Sequence, residues 1–283
     1  MKASPKLTND VFAATDRLPP IKLKKLTKSN IVIRTTMIVL AVLTVYGFVT
    51  FNNQKLNFWQ NLFATFANFR TIFFQPHFNH FTFSQAFEGV LITLALGLLT
   101  TIVGAVVAFF LSLLAAENLT NKTISNSVKT LVAIIRAVPT VLWVLIFAIA
   151  AGLGSVAAVI GMSFHSISYL TKAYSESFEE LDEGVIEALK ATGAGWWQIV
   201  FQSIVPNSLT SLISWTFMRF EVNFGVAVAM GAAAGAGGIG YEMFMSGVFY
   251  FDIREMGTIT YFILAIAIIL EIISIQIKAR IRA

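Results

Sequence analysis

The sequence contains no cysteine. This excludes a disulfide framework and a thiolate metal site, and it leaves the redox compartment unspecified. Charge is scarce too: Asp, Glu, Lys and Arg make up 12% of the 283 residues, against about 25% in a soluble domain. No G-x-x-x-x-G-K-[ST] string occurs, so the chain hydrolyses no ATP by a P-loop. No nucleophile–base pair and no metal-ligand cluster stands out, which removes the grounds for an intramembrane enzyme. Neither a cofactor nor a metal is expected.

Apolar residues fill the space left by charge. They make up 57% of the chain, and the mean hydropathy is +0.76. A membrane span takes about 20 apolar residues, so the expected fold is all-α and polytopic, with about six transmembrane helices. The formal net charge is +5 and the pI about 9.5. Much of that charge lies in one tail, which fits a lipid bilayer better than nucleic acid, so no nucleic-acid partner is expected.

Residues 1–34 carry eight Lys or Arg and read as a basic cytoplasmic leader, with Pro19-Pro20 opposing a continuous helix. A first transmembrane helix is expected over 35–52. Residues 53–87 read as an extracytoplasmic interfacial segment. Its Trp59, Phe63, Phe66, Phe69 and Phe73 recur at helical spacing, which suits either a headgroup layer or a buried packing stripe. A core of five further helices should fill 88–277: spans over 88–115, 128–151, 153–170, 203–230 and 257–277. A polar loop is expected over 117–127, a cytoplasmic segment over 171–202, and an outer loop ending near Met256. Gly97 and Gly104 share a face and permit close helix packing. Residues 278–283 form a short tail. Lys and Arg crowd the leader, the tail, Lys122, Lys129, Lys172 and Lys190, whereas the opposite loops hold Lys55, Arg70 and Arg254. By the positive-inside bias, both termini are cytoplasmic and the protein is a multi-pass component of the cell membrane.

One polar stretch stands out, EALKATGAGWWQIVFQSIVP at 187–206. Asp182 is a candidate N-cap and Gly193 and Gly195 candidate terminators for a short helix rich in small residues. This spacing resembles the EAA loop of ABC-importer permeases, with Glu187, Ala188, Gly193 and Pro206 in register and Leu189, Ser203 and Val205 substituted. Further runs are similar to phosphonate-type ABC permeases: FEGVLITLALGLLTTIVGA at 87–105, RAVPTVLWVLIF at 136–147 and FEVNFGVAVAMGAAAGAGGIG at 220–240. Where that family leads one to expect a basic residue soon after Asn223, Gly225 stands instead. The resemblance implies a type I importer permease: a membrane subunit for phosphonate or a related phosphorus-containing anion. It implies a second permease subunit (a copy or a paralogue), cytoplasmic ABC ATPase subunits, and an extracytoplasmic substrate-binding protein. Glu187, Ala188, Ala191, Gly193 and Pro206 would form the ATPase-docking element. A different small solute, or a secondary transporter that uses Glu221 as its ion site, are the alternatives.

Arg136, Arg219 and Glu221 are the ionisable residues furthest inside the spans and should face protein or water. With Pro139, Asn223 and Gly237 they are candidates for the translocation path; a structural pairing such as Arg136 with Glu221 is the competing role. Gly235–Gly240 spells G-x-G-x-x-G, but no strand precedes it, so it reads as a turn and not as a dinucleotide site. His77 and His80, three apart, could ligate a metal on a helix or sit as an interfacial pair; His165 reads as a buried hydrogen-bonded residue. Trp196 and Trp197 should anchor the cytoplasmic interface or touch the ATPase.

Overall fold

The computed structural model describes residues 28–50 and 58–282, and all regular structure among them is helical. Most of the basic leader therefore lies outside the described residues. The chain divides into two units, Met1–Asn61 and Leu62–Ala283.

The described part of the first unit is α1, Lys28–Thr50, seven residues earlier at its start than expected. None of its residues is buried, and aliphatics such as Val42 and Leu43 are more than half exposed. A helix that is apolar all round and uncovered by protein belongs in lipid. The second helix, α2 (Phe58–Phe74), runs across the unit boundary. Trp59, Phe63, Phe66 and Phe69 are all exposed, which favours the headgroup layer over a packing stripe. Phe73 alone turns inward, edge-on to Tyr261.

In the second unit, α3 (Phe83–Ala115) is the longest helix, with 33 residues. At 1.5 Å per residue it is about 50 Å long. It starts ahead of the expected Glu88 because Thr82 and Gln85 form a capping box. Three apolar layers line it. Phe81, Val90 and Ile239 sit at one end, Leu96, Met162 and Met230 in the middle, and Leu113, Phe178 and Ile199 at the other end. Partners approach α3 at the expected glycines. A Cβ on Gly97 would meet the Phe224 backbone at 3.2 Å, and one on Gly104 the Ser166 side chain at 2.7 Å.

The expected loop at 117–127 closes early, because Asn121 caps α4 (Lys122–Ala137) by accepting from the Ile124 amide at 2.9 Å. The expected third span is not straight. α4 and α5 (Thr140–Ala151) meet at 84°. Pro139 lacks an N–H and forces Val138 into extended backbone, which ends the helix. Trp143 Nε1 bridges the break to the Ile135 carbonyl at 3.0 Å.

α6 (Ser155–Glu179) runs on past the expected Leu170. It buries Ser163, Ser166, Ser175 and Ser177. Ser163 and Ser177 donate to carbonyls four residues back, at 2.7 and 2.9 Å, so helix and side chain satisfy each other. α7 (Glu183–Ala191) is the short helix of the polar stretch. A four-residue α8 (Trp196–Ile199), a π-turn (Val200–Ile204) and α9 (Val205–Ala234) follow as one rod. That span thus begins before the expected Ser203. Four residues later α10 (Ile239–Phe244) and a second π-turn (Met245–Phe249) occupy the stretch expected as outer loop, bent by 52° from the rod. α11 (Ile253–Arg282) ends the described chain.

Three helices, α1, α3 and Ile253–Ile277 of α11, are long and apolar enough to cross a membrane, and five spans result if each bent pair counts as one. The remaining expected span is α6, whose inward serines and threonines lower its apolarity.

Candidate functional site

Two places in the second unit combine polar chemistry with a fold that positions it: α7 on the surface, and a junction of α3, α6 and α9 inside.

Asp182 caps α7 as expected, its carboxylate accepting from the Gly184 amide at 2.8 Å. Gly193 ends the turn at φ +83°. Gly195 does not. It lies at φ −71° as the N-cap of α8, with its amide donating to Gln198. One residue of α7, Ile186, is buried; it joins Leu113, Phe178 and Ile199. Glu187, Ala188, Ala191, Gly193 and Pro206 are all exposed. The helix is therefore fixed by one apolar anchor and offers small residues outward. Of the two tryptophans, Trp196 is bound inward, Nε1 donating to the Leu119 carbonyl at 3.0 Å, while Trp197 is exposed and stacks on Phe201.

At the internal junction Asn223 is wholly buried. Its Nδ2 donates to Thr101 Oγ1 at 2.8 Å and to Ser166 Oγ at 3.0 Å, tying α9 to both α3 and α6. Arg219, one helical turn earlier, is only 4% exposed. Its Nε donates to the same Ser166 Oγ at 3.1 Å, and its guanidinium lies 5.3 Å from the centre of the Tyr169 ring. Its Nη2 is buried without a partner, as is Nδ1 of His165 nearby on α6. An unsatisfied buried donor costs roughly 1–3 kcal/mol. Among the described residues no carboxylate pairs with Arg219, and no ion pair joins Arg136 to Glu221. The junction is thus a hydroxyl-lined place around one buried guanidinium that keeps a spare donor at Nη2.

The other expected path residues scatter. Arg136 lies in the last turn of α4, beside the Pro139 break, and lines a separate cavity between α4 and α6. Glu221 is half-buried on a different face of α9 from Asn223. Gly237 sits with Gly235 and Gly238 in the left-handed turn that bends α9 into α10. That turn lies against α3, where the Ile239 amide donates to Thr93 Oγ1 at 3.0 Å.

A further cluster escaped the sequence reading. His77 and His80 are not on a helix; they lie in the segment between α2 and α3. Each meets an acid from far along the chain: His77 Nε2 to Asp252 at 3.0 Å, His80 Nδ1 to Glu255 at 2.8 Å. Glu255 is fully buried, and its Oε1 accepts from the amides of Asn79, His80 and Phe81 at 2.9, 2.6 and 3.2 Å. Burial pushes the Asp252 carboxyl up. Bonds from the Glu255 amide, His77 and Asn79 outweigh it and hold the group below its ordinary 3.8. His80, Asp252 and Glu255 are close enough to share an ion, but protein donors already fill the Glu255 carboxylate. The cluster works as a latch between the two segments. Only the separate acids at 252 and 255 were visible in the sequence; no local spacing points from them to residues 77–81.

The helix order, the break between α4 and α5 and the short exposed helix α7 define an importer-permease fold. An inward-facing MetNI methionine ABC transporter superposes with a TM-score of 0.65 at 21% identity, covering 72% of this chain and 99% of that one. Residues 108–281 match the family described as binding-protein-dependent transport system inner membrane component, and the chain belongs to that family. Among characterised relatives, the phosphate-import permease protein PhnE of Mycolicibacterium smegmatis is 31% identical over 178 residues, 62% of this chain and 33% of its own length. The phosphite transport system permease protein PtxC of Stutzerimonas stutzeri is 28% identical over 183 residues, 64% of this chain and 66% of its own. The chain thus spans a third to two-thirds of the length of these relatives.

Proposed function

We propose that this chain is the transmembrane permease subunit of an ATP-driven, binding-protein-dependent importer for phosphonate or a related phosphorus-containing anion. The observation that carries the cargo class is the likeness to PhnE and PtxC, whose names are those of phosphate and phosphite permeases. The junction at Arg219, whose buried guanidinium has an unpartnered Nη2 and no carboxylate partner among the described residues, suits an anion as well.

In this reading Glu187, Ala188, Ala191, Gly193 and Pro206 form the surface on which a cytoplasmic ATPase seats. The small side chains let the partner approach the α7 backbone. Ile186 passes its displacement into the layer of Leu113, Phe178 and Ile199, which contacts α3, α6 and the start of α9. Arg219 and Asn223 line the path at the junction of α3, α6 and α9; of the other candidates, Arg136 borders the separate cavity beside the Pro139 break, and Glu221 and Gly237 lie apart from the junction. A second permease subunit completes the pore, and a binding protein outside delivers the cargo. Both termini lie in the cytoplasm, following the distribution of Lys and Arg.

The test is reconstitution in liposomes with an ABC ATPase and a binding protein that co-purify with it. Labelled methylphosphonate, phosphite and phosphate are offered, with methionine as the control cargo. Uptake of a phosphorus anion that requires ATP supports the proposal. Uptake without the ATPase, or of methionine alone, overturns it.

A further inference from the structure

The cavity between α4 and α6 is separate from the Arg219 junction, and its volume is about 240 Å³. One wall is α4, with Lys129 and Arg136 two turns apart on one face; the other is α6, with Thr171, Lys172, Ser175 and Glu179. Its acids are already engaged. Glu179 accepts from Lys129 at 3.0 Å and from the Glu117 amide at 2.9 Å, and Glu176, at the rim, lies 3.5 Å from Lys172.

Two groups are left over. Arg136 is half-buried and makes no ion pair among the described residues. Thr171 is 1% exposed, lines the cavity, and its hydroxyl has no partner. A buried hydroxyl lining the same cavity as a guanidinium that has no ion pair among the described residues is half of a binding site. Arg presents a planar fork that matches two oxygens of a phosphate or phosphonate, and the hydroxyl supplies a donor to a third. The cavity holds such a group with bridging water.

We propose that this cavity is an oxyanion site, in which Arg136 and Thr171 hold a phosphate-type group and Lys172 adds charge at the mouth. The group is either a free phosphorus oxyanion or the headgroup of an anionic lipid, which present the same oxygens. The proposal goes beyond the transport reading and does not depend on it, because binding is measured on the full chain without ATPase or uptake.

The purified protein in detergent is titrated calorimetrically with inorganic phosphate, methylphosphonate and a short-chain phosphatidylglycerol. At least one should bind. Arg136→Gln should weaken that binding at least tenfold and Thr171→Val severalfold, while Lys122→Gln, outside the cavity, leaves it unchanged. Thr171→Val keeps the side-chain volume and removes the unpartnered hydroxyl, so it reports even where Arg136→Gln folds poorly. Response to phosphate or methylphosphonate assigns a soluble anion; response to the lipid alone assigns a headgroup. No binding of any probe, or equal binding by wild type and both cavity variants, overturns the proposal. Loss of uptake with anion binding intact would count against the transport reading alone.

Discussion

Asn223 is completely enclosed and bonds hydroxyls on two other helices, so trimming it leaves Thr101 and Ser166 without that donor. Asn223→Ala should destabilise the protein by about 1–3 kcal/mol, seen as a lower thermal midpoint in detergent. Arg219 four residues earlier behaves oppositely. It is buried, has no carboxylate partner among the described residues, and leaves Nη2 unsatisfied. A charge so placed costs folding energy, and replacing it with an apolar residue of similar length tends to be neutral or stabilising. Arg219→Met should therefore keep or raise the midpoint while anion uptake falls at least tenfold. A lowered midpoint with uptake retained would make Arg219 a structural strut. Both residues could be picked from the sequence as polar groups in apolar runs. Their division of labour could not, because Ser166, which both contact, is one of many serines in α6 and nothing local marks it.

At the scale of elements, the short α7 helix was legible almost to the residue. Asp182 as cap and Gly193 as terminator are local chemistry, and local chemistry is what sequence reports. Gly195 was misplaced because glycine suits the start of a helix nearly as well as its end. The break between α4 and α5 was missed even though Pro139 was noted, since an apolar run reads as one span until the proline is given its steric weight. Ala188→Trp should reduce co-purification of the ATPase several-fold with the midpoint unchanged, since Ala188 is exposed; full recovery of the complex would remove α7 from the interface. The latch between residues 77–81 and the start of α11 is non-local and was invisible. Asp252 titrates below its ordinary 3.8 when folded. Its stabilisation is thus fully present above that value and is lost as pH falls below it, through the lowered folded value. Asp252→Asn should lower the thermal midpoint at pH 7, and the gap to wild type should shrink at pH 3. A gap independent of pH would mean that the carboxylate charge contributes nothing.

Across the whole second unit, the ends of α3 give the molecule two distinct poles. At one pole the His–acid latch joins residues 77–81 to 252–255 just before α3 begins. At the other, Glu117 and Leu119, just after α3 ends, meet Glu179 and Trp196, which flank α7. A helix of about 50 Å exceeds the roughly 30 Å hydrocarbon core of a bilayer, so the two poles emerge on opposite sides. The proposed orientation rests on charge alone: Lys122, Lys172 and Lys190 lie toward the α7 pole, and the bias of Lys and Arg toward the cytoplasm would put that pole inside. The absence of cysteine makes this directly measurable, because any introduced thiol is the only one present. Ala188→Cys and Asn79→Cys lie on the exposed surface at the two poles. In intact cells a membrane-impermeant maleimide should label Asn79→Cys and spare Ala188→Cys, and in inverted vesicles the pattern should reverse. Labelling of Ala188→Cys in intact cells would place α7 outside, out of reach of an ATPase, and the transport reading would fall with it. Labelling of both positions from one side would instead mean that α3 does not cross.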